Sequence, residues 1–262
     1  MEGLPSPCAR TPSEKQMDNP ALKIDRLTKR FGKVEAVRDL SLTVSRGETY
    51  AFLGPNGAGK TTTLKVVTGL LQADEGAVEV CGEKVEADAL PFRRVMGYVS
   101  DRPYLFEKLT AWEHLEFIAQ ARELKGWEPF AQELFALFHL EDWKFQLIEG
   151  FSHGMRQKLA ITGSLIHRPK LLLVDEPMVG LDPRSARDLK ELLGRMTSEG
   201  MGLFLSTHSL DTAAEISDRI GILDNGRMVA EGSFSELREL AEKPESTLEE
   251  VFLRLTEEAD QV

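Results

Sequence analysis

The stretch ETYAFLGPNGAGKTTTLKVV, residues 48–67, decides how the rest of the chain is read. It begins with a short, mostly apolar run of the kind that buries as a strand. It then passes through Gly54, Gly57 and Gly59 and closes on a segment that reads as a helix. Between strand and helix stands the pattern G-x-x-x-x-G-K-[ST], met at every fixed position by Gly54, Gly59, Lys60 and Thr61. The glycines let the backbone curl so that successive N–H groups face phosphate oxygens, and the helix N-terminus beyond adds its dipole. In this pattern Lys60 reaches the β- and γ-phosphates of a nucleotide and the Thr61 hydroxyl ligates Mg²⁺. The residues expected around the phosphates are Gly54, Pro55, Asn56, Gly57, Ala58, Gly59, Lys60, Thr61 and Thr62.

A second stretch supplies the partner of that loop. LLLVDEP, residues 171–177, is an apolar run ending in two carboxylates. Asp175 is placed to hold Mg²⁺, and Glu176, directly after it, to polarise a water for in-line attack on the γ-phosphate. Just upstream, Ser152, His153 and Gly154 read as a polar cap opening another helix, which makes a second anion site.

Outward from these motifs, short strands alternate with helices, the mark of an α/β protein. Residues 22–32 and 34–44 read as two antiparallel strands turning at Gly32, 60–71 as a helix, and 76–85 and 96–100 as strands. From Thr110 to about Gly150 the apolar period shifts from 2 to 3.6, with Trp112, Leu115, Ile118, Ala119 and Arg122 stepping by three and four. No strand interrupts this block, which reads as an inserted helical subdomain. Strands return at 170–176 and 202–208 around a helix at 184–198. A hairpin at 219–232 turns on Asn225-Gly226, and Leu248, Val251, Phe252 and Leu255 form one face of a last helix.

Composition narrows the partners. The 262 residues are 42% apolar and 29% charged, enough for one large domain, and no apolar run approaches the length of a bilayer span. A net charge of −11 argues against nucleic acid as a partner. Residues 231–262 hold ten Asp/Glu against three Lys/Arg, which reads as a solvated helical end. Cys8 lies in a Pro-rich tail and Cys81 in an expected strand, without metal-ligand spacing, as suits a reducing cytosol. The first 20 residues carry four prolines and no apolar leader core, and so read as disordered, with Met17 as an alternative start.

From about residue 21 to 255 the chain resembles an ATP-binding cassette, the ATPase subunit of ABC transporters. GPNGAGKTT (54–62) is similar to the family's Walker A, FSHGM (151–155) to its signature, LLLVDEP to its Walker B, GLDP (180–183) to its D-loop and LSTHS (205–209) to its switch-histidine loop. The resemblance implies a P-loop α/β ATPase core with an antiparallel β subdomain and a helical subdomain inserted at about 105–165, flanked by tails at 1–20 and 256–262. It implies that Phe31 stacks on adenine, that Ser152 and Gly154 contact the γ-phosphate, that Asp182 communicates across a dimer and that His208 senses the γ-phosphate. Lys60, Glu176 and His208 would carry the hydrolysis of ATP, with Mg²⁺ on Thr61 and Asp175.

Two such cassettes, identical or related, would face head to tail, each ATP lying between the P-loop of one and the signature of the other. They would sit at the cytoplasmic face of a membrane, on a separate permease docked on the helical subdomain. FSHGMRQKL and VGLDP look most like the exporter branch. Two departures stand out. His153 and Met155 replace a glycine and a glutamine of the signature, and Asp101 stands where the family usually carries glutamine, so it joins the candidate Mg²⁺ ligands. The competing readings are a soluble cassette protein of translation or DNA repair, which typically carries two cassettes or a long coiled coil, and a P-loop GTPase or kinase. The guanine motif N-K-x-D is absent.

Overall fold

The computed structural model describes residues 19–86, 90–242 and 246–259. The readings of residues 1–18 and of Cys8 therefore lie outside the described residues. The chain starts with two long strands, β1 (Leu22–Phe31) and β2 (Val34–Val44), paired antiparallel around Gly32. The buried strand β3 (Thr49–Leu53) leads into helix α1 (Lys60–Val67). Strands β4 (Glu75–Val80) and β5 (Glu83–Lys84) follow, then the short helix α2 (Pro91–Val95) and strand β6 (Met96–Val99). Helices α3 (Ala111–Ala121), α4 (Glu128–Leu137) and α5 (His153–Leu165) come next. Strand β7 (Leu171–Asp175), helix α6 (Pro183–Ser198), strand β8 (Gly202–Thr207) and helix α7 (Leu210–Ile216) complete the core. The hairpin β9 (Arg219–Asp224) and β10 (Arg227–Gly232) and helices α8 (Phe234–Leu240) and α9 (Leu248–Ala259) end the chain.

Two sheets result. One is antiparallel, in the order β2-β1-β4-β5; the other runs β10-β9-β3-β8-β7-β6 and is parallel except at β10. Strands β3, β7 and β8 are buried along their whole length, with helices on one face and α1 and the antiparallel sheet on the other. Because they are parallel and in register, Leu53 pairing with Thr207 and Asp175 with Ser206, their carboxyl ends open on one edge. That edge is where an open α/β sheet binds its ligand.

The helical block starts on a capping box, in which Thr110 and Glu113 satisfy each other's backbone N–H. Leu115, Ala119, Leu134 and Phe138 bury against Leu159 and Leu165 of α5 and against Leu172 and Val174 of β7, so block and sheet share one core. Each of these leucines, Phe138 and Val174 contributes about 1.5–3 kcal/mol of burial.

The structure corrects several expected boundaries. The helix expected at 60–71 stops at Val67, because Gly69 at φ 69° turns the chain and the N–H groups of Leu70 and Leu71 fold back on the Lys65 carbonyl. The strand expected at 76–85 is two strands, split where Cys81 and Gly82 adopt φ 52° and 87° as a tight turn. Cys81 thus lies in a turn, not in a strand. The last helix continues to Ala259, past the expected boundary at 255.

Candidate active site

The loop 54–59 joins β3 to α1 over the open edge of the parallel sheet. Gly59 caps α1 at φ 108°, and a Cβ there would come within 2.3 Å of the Ala36 carbonyl oxygen. Backbone and space both demand glycine. Gly59→Ala is expected to destabilise the chain by about 2 kcal/mol or more, read as a lower urea midpoint, and to cost ATP binding because the loop must shift. The first turn of α1 carries no acidic side chain, which leaves its N–H groups and dipole free for an anion. Lys60 folds over the loop, its Nζ donating to the carbonyls of Gly54 at 2.6 Å and Pro55 at 3.1 Å. Burial lowers the lysine pKa, and the charges of Glu176 and Asp175 hold it up.

Thr61 meets β7 at this edge, its hydroxyl donating to Asp175 Oδ2 at 3.2 Å. Asp175 is nearly inaccessible, and burial, with the charges of Asp101 and Glu176, raises its pKa. A buried carboxylate among carboxylates is a site short of a cation, and the hard oxygen donors of Asp175 and Thr61 suit Mg²⁺. Among the described residues no cluster of three or more His, Cys, Asp or Glu would hold a metal. That donor set fits an ion that takes most of its ligands from phosphates and water.

Glu176, the next residue, sits at φ 53°, a left-handed conformation that only surrounding bonds make tenable. Those bonds come from the end of β8. His208 donates its backbone N–H to Glu176 Oε1 at 2.9 Å, and its Nδ1 lies 2.6 Å from the same oxygen. An ionised carboxylate only accepts, so Nδ1 carries the hydrogen. Thr207 Oγ1 donates to Oε2 at 3.1 Å. Sequence reasoning missed Thr207; the hydroxyl just before the histidine in LSTHS was the available signal.

The other expected residues divide between this edge and a separate place. Phe31 ends β1 with its ring 49% exposed and the Lys29 ammonium 5.6 Å from its centroid. The hairpin that carries it borders the loop, as the Ala36 contact with Gly59 shows. Asp101 follows β6, exposed, and accepts from the Arg102 N–H at 2.8 Å; its charge reaches Asp175 without a hydrogen bond to it. Ser152 caps α5, accepting from the Met155 N–H at 3.3 Å, and this first turn also lacks acidic residues. A Cβ on Gly154 would come within 2.5 Å of the Gly180 carbonyl oxygen, so the helix start is pressed against the segment after β7. Among the described residues no hydrogen bond joins 151–158 to 54–62.

Asp182 caps α6, accepting from the Ser185 N–H at 3.0 Å and hydroxyl at 2.6 Å, with Lys158 at 3.3 Å. The Ser185 bonds, then Lys158, hold its carboxyl below the ordinary range. A depressed pKa stabilises the fold above the unfolded value and is lost as pH falls through the folded one. Asp182→Ala is expected to cost about 1 kcal/mol, as an N-cap does. Asp182→Asn, which keeps the cap, should lie closer to wild type below about pH 4 than at neutrality. Urea denaturation at pH 7 and pH 3 reads both.

The comparisons with known proteins bear on the family and the fold. A family model described as ABC transporter matches residues 37–179. The chain is 36% identical to a daunorubicin resistance ATP-binding protein of Streptomyces coeruleorubidus, over 85% of its own length and 71% of that protein's. It is 37% identical to a fluoroquinolones export ATP-binding protein of Mycobacterium tuberculosis, over 83% and 72%. A solved ATP binding subunit of an ABC transporter superposes with a TM-score of 0.87 at 34% identity, over 90% of this chain and 99% of that one. A dimeric ATP-binding cassette in a post-hydrolysis state, bound to ADP and phosphate, superposes at 0.73 with 26% identity, over 81% and 98%.

Proposed function

The chain belongs to the ABC transporter family as an ATP-hydrolysing cassette that powers export, and from that premise we propose that it acts as half of a head-to-tail pair on a separate membrane permease. The observation that carries the pairing is the separation of two anion sites in one chain. Loop 54–61 has Lys60, Asp175 and Glu176 around it, while the capped start of α5 has no hydrogen bond to that loop. A second copy, or a related chain, supplies Ser152 and Gly154 as the missing wall, and Asp182 at the head of α6 stands beside that wall through Lys158. The solved dimer bound to ADP and phosphate supports the arrangement by likeness.

In the closed pair, the loop N–H groups and Lys60 take the phosphates, and Phe31 offers its exposed ring to the adenine. Thr61 and Asp175 would hold Mg²⁺, with Asp101 acting on the ion from farther off. The ion, when bound, neutralises phosphate charge. Glu176 accepts a proton from the water whose oxygen forms the new bond to the γ-phosphorus, and the bond to the β–γ bridging oxygen breaks. Thr207 and His208 aim Glu176, and His208 would follow the loss of the γ-phosphate through its contact with that carboxylate.

No helix among the described residues is long and apolar enough to cross a membrane. The permease reading therefore needs a docking surface, and a groove of about 620 Å³ between β6 and helices α3 and α5 offers one. Tyr98, His114, Phe117 and Ile118 help line it, and Tyr104 stands 95% exposed at its rim beside Phe106. An apolar helix face fits such a groove, which would place the pair at the cytoplasmic face of the membrane. Purification of the tagged chain from detergent extracts tests the assignment. A multispanning partner is the expected result, and ribosomes or DNA in its place would favour the soluble cassette proteins.

A further inference from the structure

Three arginines gather where this groove meets the ends of α2 and α3, in a chain whose net charge is −11. Arg93 and Arg122 line the groove, and Arg94 and Arg122 line two smaller hollows beside it. Among the described residues, the only acidic one lining any of the three is Glu123. Arg122 is half-buried, its Nη1 donating to the Arg93 carbonyl at 3.0 Å and its Nη2 reaching the Met96 carbonyl at 3.4 Å. Those two contacts cap the end of α2 but leave the charge unbalanced. No carboxylate of the described residues forms an ion pair with Arg122 or Arg94. Burial, accordingly, lowers the Arg122 pKa. The two histidines nearby add no charge at neutral pH, since burial holds His114 and His167 at about 4. Among the described residues, the guanidinium groups of Arg122 and Arg94 are thus without a paired carboxylate, and they adjoin an apolar trough.

A desolvated guanidinium without a counter-ion is costly, and a planar fork with free N–H groups suits a carboxylate. We propose that the permease segment in the groove carries an acidic side chain that pairs with Arg122 and Arg94. The groove then selects a helix with one apolar face and a carboxylate at the end nearest α2. This rests on the docking reading above, and adds to it the chemistry by which the cassette recognises its permease.

The test uses the full chain purified with its permease in detergent. Arg122→Glu and Arg94→Glu are each expected to weaken co-elution at least about 10-fold, as truncated charge pairs do. Changing one acidic residue of the permease's cytosolic loops to Arg should restore it. Arg94 is exposed, so Arg94→Glu serves if Arg122→Glu fails to fold. Unchanged co-elution of both reversals, or loss that no permease charge swap rescues, overturns the proposal. Loss without rescue, with wild type but neither reversal binding phosphatidylglycerol vesicles, assigns the corner to a lipid phosphate instead. Phe117→Asp in the groove wall separates the two ideas. If it abolishes co-elution while the arginine reversals do not, only the charge pairing fails; if it too is tolerated, the docking reading fails with it.

Discussion

Glu176→Gln is expected to bind ATP and to hydrolyse it roughly 10²- to 10⁴-fold more slowly than wild type, the range a lost general base costs. The substitution keeps the shape that the surroundings demand. The Gln carbonyl oxygen can still accept from the His208 backbone N–H and imidazole, which now reach Glu176 Oε1 at 2.9 and 2.6 Å. Its amide NH₂ then faces the Thr207 hydroxyl, which can rotate from donor to acceptor. The φ of 53° at position 176 stays supported, so the variant should fold. What it loses is the negative charge that takes the proton from water. Bound ATP then persists, and so does the bridge it makes between two chains. Sizing chromatography with Mg²⁺ and ATP should therefore show a dimer for Glu176→Gln and mainly monomer for wild type. Turnover at the wild-type rate would show that the proton goes elsewhere. Slow turnover without a dimer would leave the catalytic assignment standing and remove the paired site.

Most of this edge was legible in the sequence, for a physical reason. A phosphate loop needs glycines at fixed places, a lysine after the last and a hydroxyl after that, all between strand and helix. Gly59, at φ 108° and against the Ala36 carbonyl, has no substitute. Strands β3, β7 and β8 were readable because strands buried on both faces are unbroken apolar runs, and Asp175 and Glu176 end one of them. Thr207 was not singled out, because a hydroxyl at a strand end has many bland uses, and only the register of β7 on β8 sets it beside Glu176.

Short elements escaped for a different reason. Helices α2, α7 and α8 have five to seven residues, too few to establish a 3.6 period. Their existence depends on packing and on caps such as Ser209 and Ser233. The groove and its arginines were equally hidden. Arg122 reads in sequence as one more step of the helical period, and only the fold brings it onto the carbonyls of Arg93 and Met96, with no carboxylate of the described residues paired to it. In the proposed pair, the helix start at Ser152, whose first turn has no acidic residue, would serve a nucleotide bound by the other chain.

Lys60→Ala is expected to lower ATP affinity by roughly 10- to 150-fold, the equivalent of the 1.5–3 kcal/mol typical of hydrogen bonds to charged groups. The ammonium now spans the Gly54 and Pro55 carbonyls at 2.6 and 3.1 Å, occupying the cradle that a phosphate would share with it. Without it, the anion meets those carbonyl oxygens and the charges of Asp175 and Glu176 with only backbone N–H groups to offset them. The free protein should change little. It loses two hydrogen bonds, but it also loses the desolvation that lowers the Lys60 pKa. The melting temperature without nucleotide should therefore stay near that of wild type. The upward shift on adding ATP and Mg²⁺, which measures binding to the folded state alone, should largely vanish. Lys60→Met separates charge from packing, because it keeps the aliphatic stem and discards the ammonium. Equal losses in Ala and Met, read by titration of a fluorescent ATP analogue, assign the effect to charge. Wild-type affinity in the Met variant would mean that the stem alone shapes the loop, and the electrostatic account of this anion site would then be wrong.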